Sequence, residues 1–246
     1  MNKNITQILI TDGRQKFSDH TLEFEKKIKD LYKDYSYYLF NKTSTEEFIK
    51  EKFNKDVLNA FRKLNPYAYK ADLARYCILY YYGGWYFDIG ITCLNKIEVK
   101  ENIDFICFRD DHRHSKTSWA VCNGIFYSKP KSPILDYAID LILQNCAEKW
   151  YGRTPLCPTG PALFGEAIAA KNRGQNIIIG DLRRPKIPLT NRDMPFFRKI
   201  FKAKFILSKQ PTIALVKPAK GGDITSIGIR GSNNYNDFWH SRNVYK

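Results

Sequence analysis

Residues 70–90 read K-A-D-L-A-R-Y-C-I-L-Y-Y-Y-G-G-W-Y-F-D-I-G and place an acid, a base and a second acid in one short run. Asp72 and Arg75 are spaced i, i+3, so a helix puts carboxylate and guanidinium on one face. A planar guanidinium in that setting can hold polar groups in a fixed bidentate geometry. Gly83 and Gly84 end the helical pattern where the chain must turn. Trp85, Tyr86 and Phe87 have strand-forming composition. Asp88 therefore falls where a strand runs out into a loop, the ligand-binding end of an open α/β sheet. Read blandly, the same residues are a surface ion pair, a helix stop and a turn aspartate.

The elements that must position this run alternate as an α/β domain requires. Strands are expected at Ile5–Thr11, Tyr37–Phe40, Ile103–Phe108, Ile125–Ser128, Ile177–Ile179, Phe205–Ser208 and Thr212–Lys217. Asp19–Lys33 reads as a helix. Ser44-Thr-Glu-Glu47 reads as a capping box opening a helix that runs towards Leu64, with Pro66 separating it from the motif helix. Pro133 opens a helix to about Cys146, and Pro161, after Gly160, opens another towards Lys171. Gly221-Gly222-Asp223 reads as a loop.

A chain of 246 residues suits one domain. Its formal charge of +15 implies an anionic partner: a nucleotide diphosphate, an acidic lipid surface, a phosphorylated glycan or nucleic acid. No RRM, KH, helix-turn-helix or finger pattern supports the last of these. The six cysteines form no CxxC pair, which argues against a zinc site or a disulfide framework. The amino terminus does not read as a signal peptide, and no run approaches the ~20 apolar residues of a spanning helix. The expectation is a reduced cytoplasmic compartment, with peripheral contact at the inner membrane face.

The run from Asp72 to Gly90 resembles the D-x-x-R-y-x-x-L-x-x-x-G-G-x-Y-x-D-x-D signature of GT-A glycosyltransferases with a DXD site. Among them it is similar to glycosyltransferase family 32, the capsule, lipopolysaccharide and mannan transferases, with the large clostridial toxin glucosyltransferases as relatives. Weaker likeness extends to I-T-Q-I-L-I from Ile5, N-G-I-F-Y-S from Asn123, Thr159-Gly160-Pro161 and the tail around Trp239. The resemblance implies a single GT-A domain over residues 1–246, with a Rossmann-like mixed sheet and helices on both faces. It implies transfer of a sugar, with retention, from a UDP-linked donor to a surface glycan or lipid-linked saccharide. Asp72 and Arg75 would hold the donor sugar, and Asp88 its ribose and sugar, these three forming the catalytic set. Gly83 and Gly84 would let backbone approach the donor, Tyr86 would either pack in the core or touch the donor, and Asn123 would lie near it. Trp239 and His240 would close over the diphosphate.

One position departs from the signature: the second aspartate of D-x-D is Gly90. Magnesium or manganese, with Asp88 and His240 as ligands, is the implied cofactor, and Gly90 puts it in question. Asp110, Asp111 or Asp223 could replace the missing carboxylate, basic residues could neutralise the leaving group, or binding could survive without catalysis. Asp237 and Ser241 are weaker companions of His240. His112 and His114 read as a solvated or acceptor-facing loop. Arg183-Arg184 and Lys199–Lys209, interleaved with Phe196, Phe197, Phe201 and Phe205, read either as an amphipathic helix or as a patch for anionic membrane.

Overall fold

The computed structural model describes residues 3–13, 19–111, 115–183, 203–207, 211–216, 222–225 and 228–246. The strands are β1 (Asn4–Ile8), β2 (Ser36–Phe40), β3 (Gly84–Phe87), β4 (Ile91–Cys93), β5 (Phe105–Arg109), β6 (Val121–Ser128), β7 (Ile177–Arg183), β8 (Ala203–Ile206) and β9 (Ala214–Val216). They form one sheet in the order β2-β1-β3-β6-β5-β7-β8-β9-β4. The helices are α1 (Asp19–Leu31), α2 (Lys42–Lys52), α3 (Lys55–Lys63), α4 (Tyr67–Tyr82), α5 (Pro133–Glu148), α6 (Pro161–Lys171) and α7 (Tyr235–His240).

Alternation along the central strands builds two apolar faces. Tyr86, Phe105, Cys107 and Phe126 join the core under α2 to α6. Their neighbours Trp85, Phe87, Ile106, Phe108, Ile125 and Tyr127 join the opposite core with Ile28 of α1. Successive side chains of a strand point to opposite faces, so both faces need cover. The mixed sheet with helices on both faces is the architecture expected.

Pairing direction fixes where the chemistry gathers. β1 runs parallel to β3, and β6 runs antiparallel to both β3 and β5. The carboxyl ends of β1, β3 and β5 therefore share one edge with the start of β6. Asp88 follows β3 there, Asp110 follows β5, and Asn123 is the third residue of β6.

α4 is buried over Tyr69–Leu79, on every side rather than along one stripe. Such a helix belongs to the interior, and it carries Lys70, Asp72 and Arg75 in with it. Pro66 caps it without a side-chain bond, and Asn233 from the distant tail accepts the Tyr67 N–H at 2.9 Å instead.

Local expectations need correcting in several places. The helix expected from Ser44 to Leu64 is two, because Asn54 accepts the N–H groups of Asp56 and Val57 and restarts the chain as α3. The capping box opening α2 belongs to Asn41 and Ser44 rather than to Ser44 and Glu47. β4 and α7 were not expected from the sequence.

Candidate active site

A cavity of about 760 Å³ opens at the shared strand edge. Asp72, Arg75, Asp88, Gly90, Asp110 and Asn123 line it, with Lys116, Gly160 and Tyr235. Concave sites of this size at strand carboxyl ends are the usual place for a ligand.

Arg75 is the centre of the polar floor. Its side chain is 5% exposed and lies 3.3 Å from Asp72 Oδ1 and 3.2 Å from Asp88 Oδ1. Nε donates to the Ala71 carbonyl at 3.1 Å and Nη1 to the Asn123 carbonyl at 2.7 Å. The guanidinium also lies over the Tyr86 ring, 4.5 Å from its centroid. Burial opposes its charge, but Asp88 first, then Tyr86 and Asp72, hold it above its ordinary value. Arg75 is thus a fixed cation, since removing one partner of a buried pair leaves an uncompensated charge.

Asp72 is nearly as deep. Asn123 donates to its Oδ1 at 2.9 Å and Thr159 to its Oδ2 at 2.7 Å. Burial pushes its carboxyl up, against the pull of Arg75, Thr159 and Asn123. The Asn123 amide also donates to the Tyr76 hydroxyl at 2.9 Å, and that hydroxyl donates to the Thr159 carbonyl at 3.2 Å. The reading of Asp72 and Arg75 as a surface pair is therefore excluded. Thr159 and Tyr76 were given no role from the sequence, although Tyr76 lies i+4 from Asp72 and so shares its helix face.

Asp88 is the more open carboxylate, with its side chain 43% exposed. Its N–H donates to the Gly124 carbonyl at 2.7 Å, which ties it to β6. The Tyr86 hydroxyl donates to Oδ1 at 2.6 Å. Burial pushes the Tyr86 phenol well above its ordinary value, so it stays a donor. Oδ2 accepts no hydrogen bond among the described residues and lies against Gly124, where a Cβ would stand 2.7 Å from it. A glycine inside a strand signals such close approach.

Other expected site residues lie elsewhere. Gly83 and Gly84 sit at the far end of β3: Gly83 stops α4 at φ 64°, and a Cβ on Gly84 would lie 2.4 Å from the Asn4 carbonyl oxygen. The tight approach of Gly84 is to β1, and neither glycine lines the cavity. Tyr86 is fully buried behind Asp88. Trp239 donates its indole N–H to the Tyr151 carbonyl at 2.8 Å and packs on the core, and His240 is exposed beside it. Neither lines the cavity, whereas Tyr235 and Asn236 from the same segment do. Asp237 and Ser241 are exposed on that tail. Asp223 accepts from Thr225 and Ser232 within its own loop, and Asp111 is buried off the cavity. His112, His114, Arg184, Phe196, Phe197, Lys199 and Phe201 lie outside the described residues, while Phe205 reaches the cavity from β8.

Among the described residues, no three His, Cys, Asp or Glu side chains gather as metal ligands. Magnesium and manganese need fewer, since they keep waters and bind one or two carboxylates plus substrate phosphates. Asp88 Oδ2 against Gly124, with Asp110 on the same cavity, fits that looser arrangement.

Residues 18–107 match the family model described as the glycosyltransferase sugar-binding region containing DXD motif. The chain is 30% identical over 135 residues to an uncharacterized glycosyltransferase of Acanthamoeba polyphaga mimivirus, covering 53% of this chain and 51% of that protein. It is 36% identical over 146 residues to mannosyl phosphorylinositol ceramide synthase SUR1 of Saccharomyces cerevisiae, covering 58% of this chain and 36% of that protein. The chain thus spans about half or less of the curated relatives it matches. The solved PaToxG glycosyltransferase superposes with a TM-score of 0.53 at 17% identity, over 70% of this chain and 69% of that one. The fold is of the GT-A glycosyltransferase type, and the similar proteins are glycosyltransferases.

Proposed function

We propose that this chain is a glycosyltransferase that moves a sugar, with retention, from a nucleotide-sugar donor to a saccharide or lipid-linked acceptor. One observation carries the reading: a buried guanidinium, Arg75, held between Asp72 and Asp88 at the floor of a cavity at the strand ends. A fixed cation flanked by acceptor oxygens suits sugar hydroxyls, which both donate and accept. Arg75 and Asp72 orient the donor sugar, and Asp88 holds the ribose and sugar.

The bond from the anomeric carbon to the diphosphate breaks, the pair stays with the leaving phosphate, and the carbon gains oxocarbenium character, as in glycoside hydrolysis. The acceptor hydroxyl then bonds to that carbon from the same face and its proton passes to the leaving phosphate. A magnesium or manganese ion beside Asp88 and Asp110 would supply positive charge against the departing diphosphate. Lys116, on the same cavity, is a protein cation available for that charge. The yeast relative's name, a mannosyl phosphorylinositol ceramide synthase, supports a phosphorylated lipid-linked acceptor, as does the net charge of +15.

The test is hydrolysis and transfer with UDP- and GDP-linked hexoses in manganese, magnesium and EDTA. Asp88→Asn should lower turnover by about 10²-fold or more, and wild-type turnover in that variant would sink the assignment. Activity surviving EDTA assigns the diphosphate charge to protein cations, and activity lost in EDTA assigns it to a metal. Gly90 motivates a second reading, a sugar-nucleotide binder acting as an assembly partner. Saturable donor binding with no turnover of any donor would favour it.

A further inference from the structure

A second, smaller cavity of about 300 Å³ shares Tyr67 alone with the first among the described residues. Four cationic side chains from separate parts of the chain converge on it: Lys42 opening α2, Arg62 in the last turn of α3, Lys70 in the first turn of α4, and Lys246. Among the described residues one acidic side chain shares the cavity, Glu46, and Arg62 Nε already binds it at 2.6 Å. The surplus of positive charge gathers at one recess, with Lys70 buried at its base and Lys42, Arg62 and Lys246 exposed around it.

Lys70 makes this more than a basic surface. Its side chain is buried, and its Nζ donates to the Phe61 carbonyl and, at 3.3 Å, to the Arg62 carbonyl. An ammonium has three donors, so among the described residues one N–H has no carbonyl, with the Phe61 ring 4.7 Å away. Burial, with Lys246 and Lys42 beside it, brings the group down to about 8. A buried cation crowded by like charge is stabilised by an anion. Asn65 and Asn233 also line the cavity, their amides engaged with Asn243, Tyr67 and the Asn65 carbonyl.

We infer that this cavity is a binding site for a phosphate monoester group, separate from the sugar-transfer site and gripped by Lys42, Arg62, Lys70 and Lys246. Charge-assisted bonds from several cations to three phosphate oxygens suit that ligand better than a monovalent halide. The volume, at the small end of ligand cavities, admits a phosphate on a small polyol head. Such a group occurs on free esters and on lipid headgroups. The inference does not rest on the transferase reading, because no residue of the grip touches the donor cavity.

The experiment is a titration of isotope-labelled protein with inorganic phosphate against sodium chloride at matched ionic strength, following amide shifts. Saturating shifts at residues 42, 62 and 70, specific to phosphate, are expected. Lys42→Glu should weaken them at least tenfold. An acidic residue in the first turn of α2 suits the helix dipole, so this variant should fold. Equal response to chloride, shifts confined to Asp88 and Gly90, or undiminished affinity in Lys42→Glu would overturn the site. Vesicles containing phosphatidic acid assign the source: displacement of phosphate supports a headgroup, and phosphate binding undisturbed by them supports a free ester.

Discussion

Tyr86 never reaches the cavity, yet its hydroxyl and ring hold Asp88 and Arg75 from behind. Tyr86→Phe keeps the ring under the guanidinium and removes only the hydrogen bond to Asp88. Turnover should fall about tenfold, equivalent to about 1.4 kcal/mol, with little change in KM. Turnover matching wild type would show that Asp88 needs no such hold. Lys70 gives a second residue-scale expectation. Its folded value is lowered to about 8, whereas an unfolded lysine titrates near ~10.4. Between those values the unfolded chain binds more protons, so stability rises with pH. The contribution is full above about 10.4 and lost as pH falls through about 8. Lys70→Met has no such proton, so its urea midpoint relative to wild type should decline as pH climbs through that window. A constant difference would refute the assignment of the shift to Lys70. The sequence marks Asp72 and Arg75 by spacing, Asp88 by its strand end, and all three by resemblance to the transferase signature, but burial turns the first two from an ordinary helix pair into a fixed floor.

At the scale of elements, the join of α4 to β3 depends on backbone contact. Gly84 has φ +100°, and a Cβ there would meet the Asn4 carbonyl oxygen at 2.4 Å. Gly84→Ala should cost about 1–3 kcal/mol from backbone strain, with the clash against β1 added to it. Gly13→Ala is the control, since Gly13 has φ +87° but open space around it. Equal loss in both, read from urea midpoints, would leave no role for contact with β1. The glycine pair is legible as a turn because no other residue suits these dihedrals. The surface that it approaches is not legible, because Asn4 lies far away in sequence. The break between α2 and α3 was missed for a related reason. The apolar pattern continues across it, and the cap at Asn54 is a local signal without glycine or proline beside it.

For the whole molecule, charge is the dominant feature: +15 over 246 residues. No helix among the described residues is long and apolar enough to cross a membrane. Peripheral attraction to acidic lipid predicts binding to anionic vesicles but not to neutral ones. That binding should fade as salt rises to about 1 M, where screening acts within about 3 Å. Equal binding to neutral vesicles, or binding indifferent to salt, would remove electrostatics as its cause. Sequence alone determined the α/β class, the motif helix, its glycine stop and the aspartate at the strand end, because each is written in local periodicity and turn chemistry. Tertiary structure decided what those residues face. Strand order brought Asp110 and Asn123 to the edge beside Asp88, and packing of α4 buried Arg75 between two carboxylates. It also packed Trp239 against the core and brought Tyr235 to the cavity. Such contacts join residues far apart in the chain, and spacing within a segment carries no record of its distant partners.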